Sequence, residues 1–350
     1  MSKIKREVYH PSLYIKEYID SLEMTQDEFA KRLGISGKQI SLLLSEEANI
    51  TVDIAFKLSL LTGTSIEFWQ NLQSMYDAYI ISLNEEKLYL KECKYFRMID
   101  KEFLINLNII NHEDKTDVAI EKLRSALPIA SLELLSQPDL YSTYRTSTSI
   151  KEQEKNIVCR NVWVSLAFKH AKRINTKPFN EKKLLESIET FRAMTLQDPK
   201  VFFPKLQELL SECGVALVVL PSLKNSNING VTKWMNPEKV MVALNTRGAY
   251  NDKFWFSFFH ELKHVLQKIK RRMVVGIEGN LLEADADFYA CEKLIPNDKL
   301  KEFKNYTREG ILKFSKSINI HPGIVVGRLQ REKLIEYSMF NDLKVKYEVC

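Results

Sequence analysis

One five-residue stretch, His260-Glu261-Leu262-Lys263-His264, constrains this chain more than any other. On a helix the two histidines lie one turn apart on the same face, so both imidazoles can reach one ion. Glu261 sits about 100° round the helix, where its carboxylate can take a proton from water at an open coordination position. The residues before and after, Phe254-Trp255-Phe256-Ser257-Phe258-Phe259 and Val265-Leu266, are mostly apolar and predict a buried helix. Burial suits the chemistry, because neutral imidazole is the metal ligand and a dry pocket strengthens the ion's field.

A catalytic zinc site needs a third protein ligand, with the fourth position left for water. Leu281-Leu282-Glu283-Ala284-Asp285-Ala286-Asp287-Phe288-Tyr289-Ala290 supplies it. Glu283 and Asp287 are four apart and share a helix face, with Glu283 as ligand and Asp287 placed to accept a hydrogen bond from a ligating histidine. Asp285 is a rival ligand, but it points about 160° away on the same helix. Ala286 and Ala290 leave room for the two helices to lie close. His321 and Arg328 are further candidates, able to stabilise an oxyanion, though they also read as a capping histidine and an ion-paired arginine.

At 350 residues the chain is long enough for two or three domains with real cores. Its 45% hydrophobic and 27% charged content is that of a globular protein. No apolar run reaches membrane-spanning length, and the basic start is followed by no apolar segment of a secretory signal, so the expectation is a cytoplasmic protein without a membrane partner. Five cysteines without C-x-x-C spacing read as reduced thiols.

The first 80 residues read as short helices. Thr25-Gln26-Asp27-Glu28 and Ser36-Gly37-Lys38-Gln39 are capping boxes, with Glu28 reaching back to Thr25. Phe29, Ala30 and Leu33 supply one inward face; Ile40, Leu43 and Leu44 supply the next. Gly34 ends the first helix and Ile35 plugs the corner. Two short helices joined by so tight a turn make the helix-turn-helix pattern. Its exposed face comprises Ser36, Gly37, Lys38, Gln39 and Ser41, with Lys38 and Gln39 able to reach base edges and Gln26 able to hold a phosphate. Residues 1–80 hold eight lysines and arginines against eleven acidic residues. Lys3, Lys5, Arg6, Lys31, Arg32 and Lys38 can still form a local DNA-facing surface; a plain helical bundle is the alternative.

The run Gln26-Asp-Glu-Phe29-Ala30-Lys-Arg-Leu33-Gly34-Ile35-Ser36, followed by Ile40-Ser41, resembles Xre-type helix-turn-helix domains. His10-Pro11 and Gly63-Thr64-Ser65-Ile66-Glu67-Phe68-Trp69-Gln70-Asn71-Leu72-Gln73 resemble the HigA antitoxin branch, and the likeness covers residues 9 to 80. It implies operator duplex DNA as a partner, bound by a homodimer.

Residues 81–155 read as a helical connector, with a charged helix from Asn84, a short amphipathic helix over Ile120–Leu127 and a polar loop or hinge over Ser142–Glu152. From 156 to 350 the texture is α+β. Helices are predicted from Val162, over Leu184–Met194 and over Phe202–Cys213. Strands are predicted over Val215–Leu220, Gly230–Met235 and Lys239–Asn245, forming a three-stranded antiparallel sheet before the metal-site helix. A sheet edge beside the cleft can hold an extended peptide by β-addition. The expected fold is mostly α with a small α+β domain: an N-terminal helix-turn-helix bundle over 1–80, a connector over 81–155 and a zincin-like domain over 156–350.

Gly230 with Trp234, Phe254-Trp255-Phe256 running into His260-Glu261-Leu262-x-His264, Glu283-x-x-Ala286-Asp287-x-Tyr289-Ala290 and Leu294-Ile295-Pro296 resemble the ImmA/IrrE metallopeptidases over residues 160 to 300. The tail from Ile320 to Gln330 recurs in members fused to an antitoxin-like head. The resemblance implies zinc held by His260, His264 and Glu283, with Glu261 as general base, and a protein substrate: a repressor partner, or the connector of the chain itself. Lys263 departs from the small residue common in the family, placing a cation either at the site or in solvent; Asp287 stands where asparagine is more usual. The second reading is an antitoxin-like repressor whose C-terminal domain grips a toxin or senses a signal without catalysis.

Overall fold

In a computed structural model of the chain, the described residues are 8–138, 140, 153–245, 250–267 and 277–347. The loop expected over Ser142–Glu152 and the cations Lys3, Lys5 and Arg6 lie outside them. The chain divides into two compact units, Met1–Lys91 and Glu92–Cys350.

The first unit is built from α1 (Ser12–Ser21), α2 (Gln26–Leu33), α3 (Gly37–Leu44), α4 (Val52–Thr62) and the first part of α5 (Ile66–Phe96). Side-chain oxygens start α2, α3 and α4: Thr25 Oγ1 accepts from the Glu28 amide at 3.3 Å, Ser36 Oγ from Gln39 at 3.2 Å and Thr51 Oγ1 from Ile54 at 3.3 Å. The reciprocal half of the first box is replaced, because the Glu28 carboxylate pairs with Arg32 at 2.7 Å. Gly34 closes α2 in the left-handed region at φ +69°, a conformation that favours glycine. Ile15, Phe29, Leu33, Ile40, Leu43, Ile54, Leu58 and Trp69 then meet in one core.

The second unit contains α6 (Lys101–Asn106), α7 (Thr116–Ala126), α8 (Glu154–Arg173), α9 (Glu181–Glu186), α10 (Ile188–Ala193), α11 (Pro199–Glu212), β1 (Val215–Leu220), β2 (Gly230–Asn236), β3 (Lys239–Asn245), α12 (Asn251–Leu266), α13 (Ile277–Leu294), α14 (Asn297–Glu302), α15 (Arg308–Ser317) and α16 (Pro322–Arg331). The single helix expected over Leu184–Met194 is two, broken at Ser187. Its hydroxyl donates back to the Lys183 carbonyl at 2.8 Å, a bond that competes with the helical ladder.

The three strands lie in the order β1-β3-β2. The antiparallel sheet expected from sequence is a mixed one: β2 and β3 form an antiparallel hairpin, whereas β1 runs parallel to β3. The nine-residue link between β1 and β2 is too long for a tight hairpin and lets β3 enter between them. β1 and β3 are buried on both faces, as parallel neighbours require, and β2 is left as a half-exposed edge. Val215, Leu217, Val240, Val242 and Leu244 face a core shared with α10, α11, α12 and α16. Ala216, Val218, Met241, Ala243 and Val231 face the opposite core, filled by α8 and by residues from the end of α5 through α7. The sheet is therefore a wall between two helical layers. That alternation decides which side chains of β2 reach α12.

Candidate functional site

α12 carries the histidines, and its apolar residues fix their direction. Trp255, Phe258, Phe259, Leu262 and Val265 are buried against the sheet, which leaves His260 and His264 on the flank that meets α13. Ala286 and Ala290, fully buried, let α13 lie against that flank. The imidazole Nε2 atoms come within 3.0 Å of each other. Glu283 closes the group, with Oε2 at 3.3 Å from His260 Nε2 and Oε1 at 3.4 Å from His264 Nε2. The three candidate ligands thus present atoms all within 4.8 Å of one another.

Both outer ring nitrogens are engaged. His260 Nδ1 meets Asp287 Oδ1 at 2.9 Å, and Asp287 Oδ2 accepts from Arg331 Nη2 at 2.8 Å. Arg331 lies 4.2 Å over the Phe256 ring. His264 Nδ1 meets Gln267 Oε1 at 2.8 Å, and the Gln267 amide donates to the Leu282 carbonyl and to Asp285. With acceptors holding each Nδ1 proton, both Nε2 atoms face the common centre, where loss of their protons would free lone pairs for an ion. Two unprotonated imidazole nitrogens and a carboxylate are the donor set that suits zinc with one position left open. The residues fit the ion.

The electrostatics of the metal-free group point the same way. Burial works against charge on His260, but Asp287 and Glu283 outweigh it and raise its pKa to about 10. His264 is raised too, Glu283 overcoming the effect of burial. Hydrogen bonds from His260 and His264 hold Glu283 far below the ordinary carboxylate range. The site stores affinity for positive charge.

Glu261, 6% exposed, is pushed upward by burial and pulled back by His264 and His260. Its Oε2 is 2.8 Å from Thr232 Oγ1, which also lies 3.0 Å from its main-chain carbonyl. Gly230 makes room for it: a Cβ there would stand 2.6 Å from Glu261 Oε1. Gly230 and Thr232 both belong to β2, so the edge strand forms the wall behind the carboxylate.

Lys263 points away from the centre, pairing with Asp285 at 3.0 Å beside the Tyr289 ring. That pair also occupies the rival carboxylate. The two oxyanion candidates make other contacts. His321 Nδ1 caps α16 by accepting from the Gly323 amide and lies 2.7 Å from Asn251 Nδ2. Arg328 pairs with Glu332 and donates to Asn297. Thr232 and Arg331 were not legible in the sequence as parts of the site, since their contacts cross between elements; Gln267, three positions after His264 at the end of α12, has a helical spacing that could have nominated it.

In the first unit, Gln26 opens α2, while Ser36, Gly37, Lys38, Gln39 and Ser41 cap and line the outer face of α3. All are exposed except Gln39, which is half-buried. Among the described residues no helix is long and apolar enough to cross a membrane.

A family profile described as helix-turn-helix matches residues 15–69. The HTH-type transcriptional regulator YddM of Escherichia coli K12 is 38% identical over 64 residues, which are 18% of this chain and 68% of that protein. The HTH-type transcriptional regulator YbaQ of the same organism is 28% identical over 72 residues, 21% of this chain; the chain spans only 64% of that relative's length. Among solved structures, an addiction module antidote protein of a HigA family from Coxiella burnetii is 32% identical, covering 25% of this chain and 96% of that one at a TM-score of 0.24.

Proposed function

Since the chain belongs to the helix-turn-helix family of transcriptional regulators through its first unit, we propose that it is a DNA-binding regulator whose second unit is a zinc-dependent endopeptidase. The observation that carries the enzymatic part is the convergence of His260, His264 and Glu283 beside a buried Glu261.

His260, His264 and Glu283 would hold the ion. When bound, zinc supplies Lewis acidity toward a peptide carbonyl and lowers the pKa of water at its open position. Asp287 and Gln267 keep the imidazoles in the ligating tautomer. Burial raises the basicity of Glu261, so its carboxylate accepts a proton from the attacking water and delivers it to the departing amine. Thr232 orients that carboxylate by donating to Oε2. The half-exposed edge of β2 can align an extended peptide by main-chain pairing. The substrate is a protein: a repressor or toxin partner, or the chain's own connector near 142–152, outside the described residues.

The first unit recognises operator duplex DNA through α3, with Lys38 and Gln39 toward base edges and Gln26 toward phosphate. A homodimer is supported by α4. There Val52, Phe56 and Leu60, 65%, 47% and 70% exposed, line up opposite the buried Ile54, Ala55 and Leu58.

A second reading, an antitoxin-like repressor that binds a toxin without catalysis, is favoured by the HigA-like sequence of residues 9 to 80. Digestion of a peptide library by the zinc-supplemented protein separates the two. The enzymatic reading expects cleavage that Glu261→Gln lowers at least a hundredfold without loss of metal. Equal cleavage by the variant, or none by the wild type, removes the peptidase assignment.

A further inference from the structure

The two ligating histidines are held by different chemistry. His260 Nδ1 faces the Asp287 carboxylate, which when ionised can only accept. His264 Nδ1 faces Gln267, whose amide presents either an oxygen or an NH2 group, depending on how it is turned. An amide turned the other way would donate to Nδ1 and leave the ring proton on Nε2, the atom that must meet the ion. The metal geometry therefore depends on what fixes the Gln267 amide.

Two oxygens of α13 fix it. Gln267 Nε2 lies 3.1 Å from the Leu282 carbonyl and 3.0 Å from Asp285 Oδ2. Both oxygens only accept, so the NH2 group must face them; turning the amide would set its own oxygen against two others. The same Asp285 Oδ2 takes the Lys263 ammonium at 3.0 Å. An ammonium can only donate and a carboxylate can only accept, so each bond in this row sets the direction of the next. An ion pair with side chains 24% and 48% exposed is by itself worth little. Surface pairing accounts for Lys263 meeting Asp285. It does not account for the third partner, an amide that reaches from His264 to the oxygen the lysine holds.

We propose that Asp285, supported by Lys263, is a positioning residue for the metal centre. Acting through Gln267, it holds His264 in the tautomer with its proton on Nδ1, so that Nε2 is the nitrogen given to the ion. The inference rests on the zinc reading of His260, His264 and Glu283 and deepens it. Asp285, the rival ligand by sequence, serves the ion without touching it. Lys263, whose charge stands next to a ligand in the chain, acts from outside the coordination sphere by fixing which atom of position 285 must be an oxygen.

The test is the zinc affinity of the full chain, read at neutral pH by competition with a chromophoric chelator. Asp285→Ala should weaken zinc binding about tenfold, the lower end of the loss when a ligating histidine's outer partner is removed. Asp285→Asn keeps an oxygen, and Lys263, able only to donate, turns that oxygen toward itself and Gln267; this variant should bind zinc nearly as the wild type does. Adding Lys263→Met to Asp285→Asn should bring back the loss of about tenfold, because the asparagine amide is then free to turn. Gln267→Glu presents a carboxylate to His264 directly, and in that background Asp285→Ala should weaken binding no further. A role for Asp285 in packing alone would give the same loss with either residue at 267. That result, an Asp285→Asn variant as weak as Asp285→Ala, or a zinc-binding wild type matched by Asp285→Ala, would overturn this inference while leaving the metal centre in place. A wild type that binds no zinc removes the peptidase reading and this inference with it.

Discussion

Glu261 owes its position to two residues of a neighbouring strand, and each can be tested by one atom group. Thr232→Val keeps the shape and removes the hydroxyl that donates to Oε2. The expected outcome is about a tenfold fall in cleavage, equivalent to about 1.4 kcal/mol, with metal content unchanged; unaltered turnover would show that Thr232 does not orient the base. Titration offers a second residue-scale check. In the metal-free chain His260 has a raised pKa, so its contribution to stability is complete below about 6.5 and is lost as pH rises toward about 10. Glu283 is shifted the other way, and its contribution fades as pH falls below the ordinary carboxylate value. Chelated protein should melt at its highest temperature between about pH 4.5 and 6.5, and His260→Ala should flatten the alkaline limb. A melting temperature for the chelated wild type that is constant from pH 6.5 to 10 would contradict this account.

At the scale of elements, a missing side chain on β2 leaves the room that the Glu261 carboxylate of α12 occupies. Gly230→Ala places a Cβ 2.6 Å from Glu261 Oε1 and must displace the Glu261 side chain or the strand beside it. A destabilisation of about 1–3 kcal/mol is expected, with a larger proportional loss of cleavage than of fold; thermal melts beside activity assays read both. The exposed stripe of α4 makes a separate prediction: Phe56→Glu with Leu60→Glu should convert a dimer to a monomer in sedimentation while leaving the first unit folded. A wild-type monomer would remove the two-fold reading of that face. Elements also show what a sequence can carry. The caps at Thr25 and Ser36, the turn at Gly34 and the grouping of His260, His264 and Glu283 depend on spacing within a helix or on the local turn, or on two helices close in sequence, and all were legible. The order β1-β3-β2 was not, because a strand's partner is chosen by which faces the helical layers cover. The break at Ser187 escaped for a similar reason, as a serine hydroxyl can face solvent or its own helix.

Across the whole molecule the legible parts are the two ends of the argument: a head that belongs to the helix-turn-helix family and a motif in α12 that asks for a metal. What holds the side chains of that motif in place had to come from coordinates. Gln267 reaches back to His264 from the turn after α12, and Arg331 reaches Asp287 from α16, contacts spanning 3 and 44 positions. The first is a helical i,i+3 spacing that passed unread, and no periodicity announces the second. They fix the imidazoles that the sequence could only nominate, and their loss should weaken zinc binding by about 10- to 100-fold without altering DNA affinity. The most direct measurement is the zinc content of the purified full chain beside His260→Ala and Glu283→Ala, with correct folding verified by circular dichroism. The account predicts close to one zinc per wild-type chain and its loss from both variants. A wild type that takes up no zinc on supplementation, or variants that retain it, would contradict the metal centre at the heart of the proposal.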